Sequence, residues 1–290
     1  IARPIRRLAL ATERVRGGRG RQTEIPALAE RGDEVGELAA ALRDMTEALW
    51  QRMDAIERFA ADVAHEIKNP LTSLSSAVQT AARIENSEQQ RRLMTIIQED
   101  VQRLDRLISD IADASRLDTE LSHDEAEAVD LSPMLAALAE VHRATAEEPG
   151  PELRLELPQG VALVVNGVEV RLVQVFRNLL ANALSFSPPD GTVALRAALD
   201  GGWIEIEIDD DGPGLPDGKE KAIFERFYSE RPEGEKFGTH SGLGLSISKQ
   251  IIEAHGGPLI AANRRHAGGG EAGARFTARL PALRFRNSRD

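Results

Sequence analysis

The feature that most constrains this chain is a seven-residue apolar repeat. Leu42, Leu49, Ile56 and Val63 fall seven apart, with Leu38, Met45 and Phe59 as a companion series that Arg52 interrupts. Two apolar positions in seven predict a coiled-coil seam. Neither Gly nor Pro occurs between Glu37 and Ile67, so one helix of about 30 residues can run without a break. The pattern resumes after Pro70 and continues to about Ile84. "ENSEQ" reads as a short turn with Ser87 as its cap. A second helix from Glu88 to about Leu117 turns Leu93, Ile97, Leu104, Ile108 and Ile111 inward. Two such antiparallel helices form a hairpin that exposes its seam when alone. Pairing of two copies into a four-helix bundle is the expected remedy.

Upstream, Ile5, Leu8, Ala9, Thr12 and Val15 keep helical spacing until the breaker "RGGRG", and a connector, "RQTEIPALAERGDE", follows. Arginines cluster over residues 1–21, a basic start suited to a membrane surface or a phosphorylated partner. The whole chain nevertheless carries 47 acidic against 36 basic residues, net −11, which argues against a general nucleic-acid binder. The absence of cysteine excludes disulfides, thiolate metal sites and cysteine nucleophiles. No apolar run approaches the roughly 20 residues that span a bilayer. The first residue is Ile rather than Met, and the expectation is of a fragment whose upstream part is missing.

From about Glu125 the character changes. "LRLEL" (Leu153–Leu157), "VALVV" (Val161–Val165), "TVALRAAL" (Thr192–Leu199), "WIEIEIDD" (Trp203–Asp210) and "ARFTARL" (Ala274–Leu280) read as strands. "EVRLVQVFRNLLANAL" (Glu169–Leu184) and "GLSISKQIIEAHGG" (Gly244–Gly257) read as helices, the second stopped by its glycines. This predicts a mixed α/β domain with helices over one face of a sheet.

Three stretches in this domain point to chemistry. "DDDGPG" (Asp209–Gly214) ends a strand, and alone it is an ordinary turn. "GTHSGLGL" (Gly238–Leu245) opens a helix, where glycines expose backbone N–H groups and the positive helix end to phosphates. It is neither a Walker A loop nor a dinucleotide fingerprint. In "NLLANA" (Asn178–Ala183), Asn178 and Asn182 are four residues apart and share a helical face. An amide oxygen is a fair ligand for Mg²⁺ bridging to substrate phosphates. In the long helix, "FAADVAHEIKNPLTSL" (Phe59–Leu74) sets His65 beside Glu66, with Asn69 and Pro70 just beyond. With Val63 and Ile67 inward, His65 lies about 200° from Val63 and faces out.

The order His-Glu-x-x-Asn-Pro-Leu, NLLxNA, DxGPG, FERF (Phe224–Phe227) and GLGL resembles the sensor histidine kinases of two-component signalling. "RPIRRL", with Asp33-Glu34-Val35-Gly36, resembles a HAMP linker. "FYSERPEGEKFGTHSGLGLSIS" is similar to alphaproteobacterial sensors of envelope or acid conditions. The resemblance implies a multi-domain chain: a HAMP linker at residues 1–50, a dimerising phosphotransfer hairpin at 51–122, and a catalytic ATP-binding domain of the Bergerat α/β sandwich type at 123–286. It also implies ATP and Mg²⁺ as cofactors. The implied partners are a second copy and a response regulator receiver domain. The implied location is the cytoplasmic side of an inner membrane, below a transmembrane and sensor segment absent from this chain.

Residue by residue, the resemblance makes His65 the phosphoacceptor, Glu66 the holder of its second ring proton, and Asn69 the group that positions water for the reverse reaction. Asp210 would accept the adenine amine, Gly212 and Gly214 would admit the nucleotide, and Phe186 would lie along it. Asn182 would ligate the metal with Asn178 close to the phosphates, and Gly242, Leu243 and Gly244 would meet the triphosphate. Residues 215–241 would form a lid anchored by Phe224 and Phe227. One position departs from the family: Ser185 stands where a basic residue commonly faces the phosphates. Arg231, Lys236 or His240 are the candidates to compensate. The competing readings are a mainly phosphatase enzyme, a coiled-coil scaffold with a degenerate nucleotide domain, and a chaperone-type ATPase.

Overall fold

A computed structural model describes residues 2–16, 33–84, 86–123, 126–146, 149–228, 242–265 and 271–283. The chain divides into two compact units, residues 1–66 and 67–290. Helix α1 (Ala2–Arg16) and most of α2 (Glu34–Ala81) belong to the first. Asp33 starts α2: its Oδ1 accepts from Gly36 N at 3.1 Å, and its carbonyl accepts from Glu37 N at 3.1 Å. The buried residues here are small or few, including Leu8, Ala11, Ala39 and Thr46. The seam predicted to face inward is largely uncovered in the single chain, with Leu38, Met45, Leu49 and Ile56 all exposed. The connector before Asp33 lies outside the described residues.

In the second unit α2 continues through Pro70, which is buried inside the helix without ending it. The return helix α3 spans Ser87–His123. Its cap is Asn86 rather than the expected Ser87. Asn86 Oδ1 accepts from Glu88 N at 2.9 Å and Gln89 N at 3.2 Å, the bonding that starts a helix. Gln90 then ties back across the turn, donating to Ile84 O at 2.6 Å.

The remainder is a two-layer α/β domain. A five-stranded sheet runs in the order β2 (Glu152–Glu156), β4 (Thr192–Asp200), β5 (Trp203–Asp209), β7 (Glu271–Pro281), β6 (Leu259–Arg265). The β2–β4 pair is parallel and the others antiparallel. A small antiparallel pair joins β1 (Glu127–Asp130) to β3 (Val164–Gly167). Helix α4 (Leu131–Thr145) packs on β2, α5 (Glu169–Phe186) on β5, and α6 (Gly244–Ala254) on β6 and β7. Strand β5 shows why the layers form. Ile204, Ile206 and Ile208 are buried, while Glu205 and Glu207 alternate with them on the wetter face. Phe176, Leu179 and Leu172 of α5 are among the deepest residues of the core between the layers.

Four elements differ from expectation. Helix α4 and strands β1 and β6 were not expected as elements. Strand β3 lies at 164–167 rather than 161–165, because Leu163 O is taken by Leu131 N at 2.9 Å, at the start of α4. Gly167, the last residue of β3, packs against His255, where a Cβ would stand 2.6 Å from the imidazole Cδ2.

Candidate active site

Helix α5 is the spine of the site. Its N-terminus is fixed from α6: His255 Nε2 accepts from Val168 N at 3.1 Å, and Nδ1 donates to Ile251 O at 2.7 Å. Both ring nitrogens are thus committed, which sets the neutral tautomer. Along one face at four-residue spacing stand Gln174, Asn178 and Asn182. The amides of Asn178 and Asn182 are half-buried and form no hydrogen bond among the described residues.

Two glycine turns close on this helix. At one end, Gly212 abuts Phe186, where a Cβ would stand 2.8 Å from the Phe186 carbonyl oxygen. Only glycine fits that approach. Further back, Gly244 opens α6 with its Cα hydrogens against Asn178; a Cβ there would lie 3.6 Å from the amide nitrogen. Asn182 therefore lies on the helix face between the two turns.

Asp210 sits just past the end of β5 and is 3% exposed. Its Oδ1 accepts from Gly212 N at 2.9 Å and Ala274 N at 3.0 Å. Its Oδ2 has no hydrogen-bond partner among the described residues. Burial pushes this carboxyl above its ordinary range, partly opposed by those two N–H groups and by the Arg264 charge. The adjacent Asp209 goes the other way. Burial alone would raise it, but hydrogen bonds from Arg275 and Arg196 and the charges of Arg275 and Arg264 bring it below the ordinary range. Arg275 grips it twice, at 2.7 and 2.8 Å, and Arg196 once at 2.6 Å.

Two phenylalanines, Phe224 and Phe227, stand in the described part of the segment expected to form the lid. Phe224 is buried edge-on to Phe276, with ring centroids 6.5 Å apart, and Lys249 Nζ lies 5.4 Å over its ring. Phe227 donates its N–H to Gly242 O at 2.9 Å. It also adopts a left-handed φ of 61°, a conformation that costs a bulky residue on the order of 1–3 kcal/mol. Gly242, with φ 72°, passes so close that a Cβ would stand 2.8 Å from Phe227 Cα. Gly214, with φ 80°, turns the chain out of the acidic segment. Leu243 is buried between the glycines of the second turn. Arg231, Lys236 and His240 lie outside the described residues. Ser185 is exposed and its hydroxyl donates to Asn182 O at 2.9 Å.

On α2, His65 and Asn69 are exposed and Glu66 is half-buried. Residues not anticipated from sequence also enter. Gln174 is buried and donates to Asp113 Oδ2 on α3 at 3.1 Å, while Arg171 donates to Gln174 Oε1 at 2.9 Å. Their spacing to Asn178 was visible in the sequence, but the partner on α3 was not.

Three family models match the chain in order. The HAMP domain matches residues 1–51, the His Kinase A (phospho-acceptor) domain 55–120, and the Histidine kinase-, DNA gyrase B-, and HSP90-like ATPase 167–284. Sensor protein ChvG of Rhizobium meliloti is 50% identical over 290 residues, covering 97% of this chain and 50% of that protein. ChvG of Agrobacterium fabrum is 48% identical, covering 97% and 48% respectively. The chain thus spans about half the length of the curated relatives it matches. Among solved structures, histidine kinase ThkA, in a complex with response regulator protein TrrA, shares the fold with a TM-score of 0.64 at 22% identity, covering 80% of this chain and 64% of that one. The chain belongs to the HAMP-containing sensor histidine kinases, with a phosphoacceptor hairpin followed by a Bergerat-type ATPase domain.

Proposed function

We propose that this chain is a homodimeric autokinase that moves the γ-phosphoryl group of ATP to His65 and then to an aspartate of a response regulator receiver domain. The observation that carries the nucleotide half is the division of labour within Asp210. One oxygen is held by two backbone N–H groups, and the other has no hydrogen bond among the described residues. That second oxygen suits the amino group of adenine. Phe186 lies along the nucleotide, and Gly212 and Gly214 let main chain approach it. Asn178 and Asn182 face the phosphates from α5. Gly242, Leu243 and Gly244 bring them to the positive end of α6. Mg²⁺, when bound, neutralises phosphate charge, and the Asn182 amide oxygen is the ligand this chain offers it.

In the transfer, one imidazole nitrogen of His65 bonds to the γ-phosphorus as the bond from that phosphorus to the β-bridging oxygen breaks, and ADP leaves. Glu66 holds the proton on the other nitrogen and offsets the positive charge that develops. Positioning and charge neutralisation supply most of the acceleration. Asn69, exposed one turn beyond His65, positions water for the reverse, phosphatase reaction on the regulator. The exposed Ser185, where the family commonly places a cation, favours a second reading in which phosphatase activity outweighs a weak autokinase.

We read residues 1–50 as the HAMP linker, 51–122 as the hairpin and 123–286 as the catalytic domain. The protein would sit on the cytoplasmic side of an inner membrane; among the described residues no helix is long and apolar enough to cross one. Incubation with γ-labelled ATP tests the reading. An acid-labile, base-stable label that passes to a receiver domain is expected. ATP hydrolysis without protein label would instead favour a chaperone-type ATPase.

A further inference from the structure

We propose that Asn263 and Arg264, consecutive residues of β6, are positioning residues for adenine recognition: together they fix the main chain of 209–215 so that Asp210 keeps its second oxygen for the base. This rests on the ATP-binding reading above and assigns a role to two residues outside the family motifs of the sequence.

Consecutive strand residues ordinarily point to opposite faces. The β6–β7 ladder, however, shifts register between Asn263 and Arg265. Such an irregularity re-aims side chains and is frequent beside active sites. Here both side chains reach the same segment. Asn263 holds its far end: Oδ1 accepts from Leu215 N at 2.5 Å and Nδ2 donates to Leu215 O at 2.8 Å. Leu215 is where the expected lid begins. Arg264 holds the near end. Its Nη1 donates to Asp210 O at 2.6 Å, Asp211 Oδ1 at 3.1 Å and Ala272 O at 3.2 Å, and its Nε lies 3.4 Å from Asp209 Oδ2.

Among the described residues, Arg264 is the one side chain that touches all three consecutive acidic residues. Of the three, Arg275 and Arg196 reach only Asp209, and the second oxygen of Asp211 is taken by Thr192 N at 2.8 Å. Arg264 also joins the start of β7 to the end of β5, since it bridges the carbonyls of Asp210 and Ala272. Gly273 makes that junction possible, because a Cβ there would collide with the Asp210 carbonyl. The junction aligns Ala274 N with Asp210 Oδ1. Arg264 thus acts on the carboxylate through the backbone, while Asn263 keeps the turn from opening.

The test is the binding of ATP and of purine riboside triphosphate, which lacks the 6-amino group, each by displacement of a fluorescent ATP analogue. The native chain should prefer ATP. Arg264→Gln should lose about tenfold in ATP affinity, the scale of one charge-assisted hydrogen bond, with little loss for the amine-less nucleotide, so that the preference narrows. Arg264→Lys, which keeps the charge but not the fork, should fall between, and it stands in if Arg264→Gln does not fold. As a control, Arg279 is on the same sheet, with Nε 3.1 Å from Glu205 Oε2 but without hydrogen-bond alignment. Arg279→Gln should leave the ratio native. An unchanged ratio in both Arg264 variants, or an equal loss for both nucleotides, overturns the positioning role. A native chain that binds neither nucleotide overturns the ATP reading and the inference with it.

Discussion

The coiled-coil helices and the sheet domain use apolar residues in opposite ways. Along α2, Met45 is 65% exposed and Ile56 59%, although both sit in a regular seven-residue register. In α5, Leu172, Val175 and Phe176 are all at 0%. The sheet domain buries its own core within one chain, whereas the helical seam needs another surface. Stability of the first should be intrinsic, and that of the second inseparable from protein concentration. The difference matches the proposed division of roles: nucleotide binding in the self-contained sheet domain, and an assembly-dependent acceptor on the helices.

The most severe way to break this contrast is a charge in the seam. Ile56→Asp would bury an unpaired carboxylate in each copy at several kcal/mol per ion. It should convert a dimer to monomer in sedimentation while leaving ATP binding intact. A dimer that persists would show that the exposed register is not the interface. Next in size, Phe176→Ala should destabilise the sheet domain by about 3–5 kcal/mol, read as a lower melting temperature independent of concentration.

Asp209 and Asp210 sharpen the comparison inside the domain. Asp209, with its lowered folded pKa, adds stability that is present above the ordinary carboxylate range and lost as pH falls through the lowered value. Asp210 has the opposite sign: its raised pKa means the ionised form costs stability, which returns as pH falls through the raised value. Asp210→Asn should therefore melt no lower than native at neutral pH while ATP affinity drops about 10- to 100-fold. A lower melting point with unchanged affinity would reverse the assignment of the two carboxylates. Smallest, Asn86→Ala should cost the hairpin about 1 kcal/mol, seen in helix melting by circular dichroism but not in nucleotide binding.

Much of the site was legible in the sequence because it obeys fixed periods. Asn178 and Asn182 share a helical face, and the Gly212 and Gly244 turns border strands and helices whose patterns were clear. What was hidden depended on tertiary contact. "LIAANRR" has two alanines at its centre and no clear alternation, so β6 gave no strand signal and Asn263 and Arg264 no apparent role. Helix α4 begins at Asn-like capping by Asp130, whose side chain accepts from Ser132 N at 3.0 Å, but Pro133 in its first turn masked the apolar run behind it. At Gly167, at the end of β3, His255 leaves no room for a Cβ. The seam was readable as a pattern, and its exposure in a single copy is what an unpaired hairpin was expected to show.

In the proposed reaction the nucleotide domain donates to His65 on the helical part. The most direct test compares His65→Gln with the native chain, measuring nucleotide affinity and the incorporation of label from γ-labelled ATP in the same preparation. Native affinity with no incorporated label is the predicted result. Label that survives the substitution would contradict it and place the acceptor elsewhere in the chain.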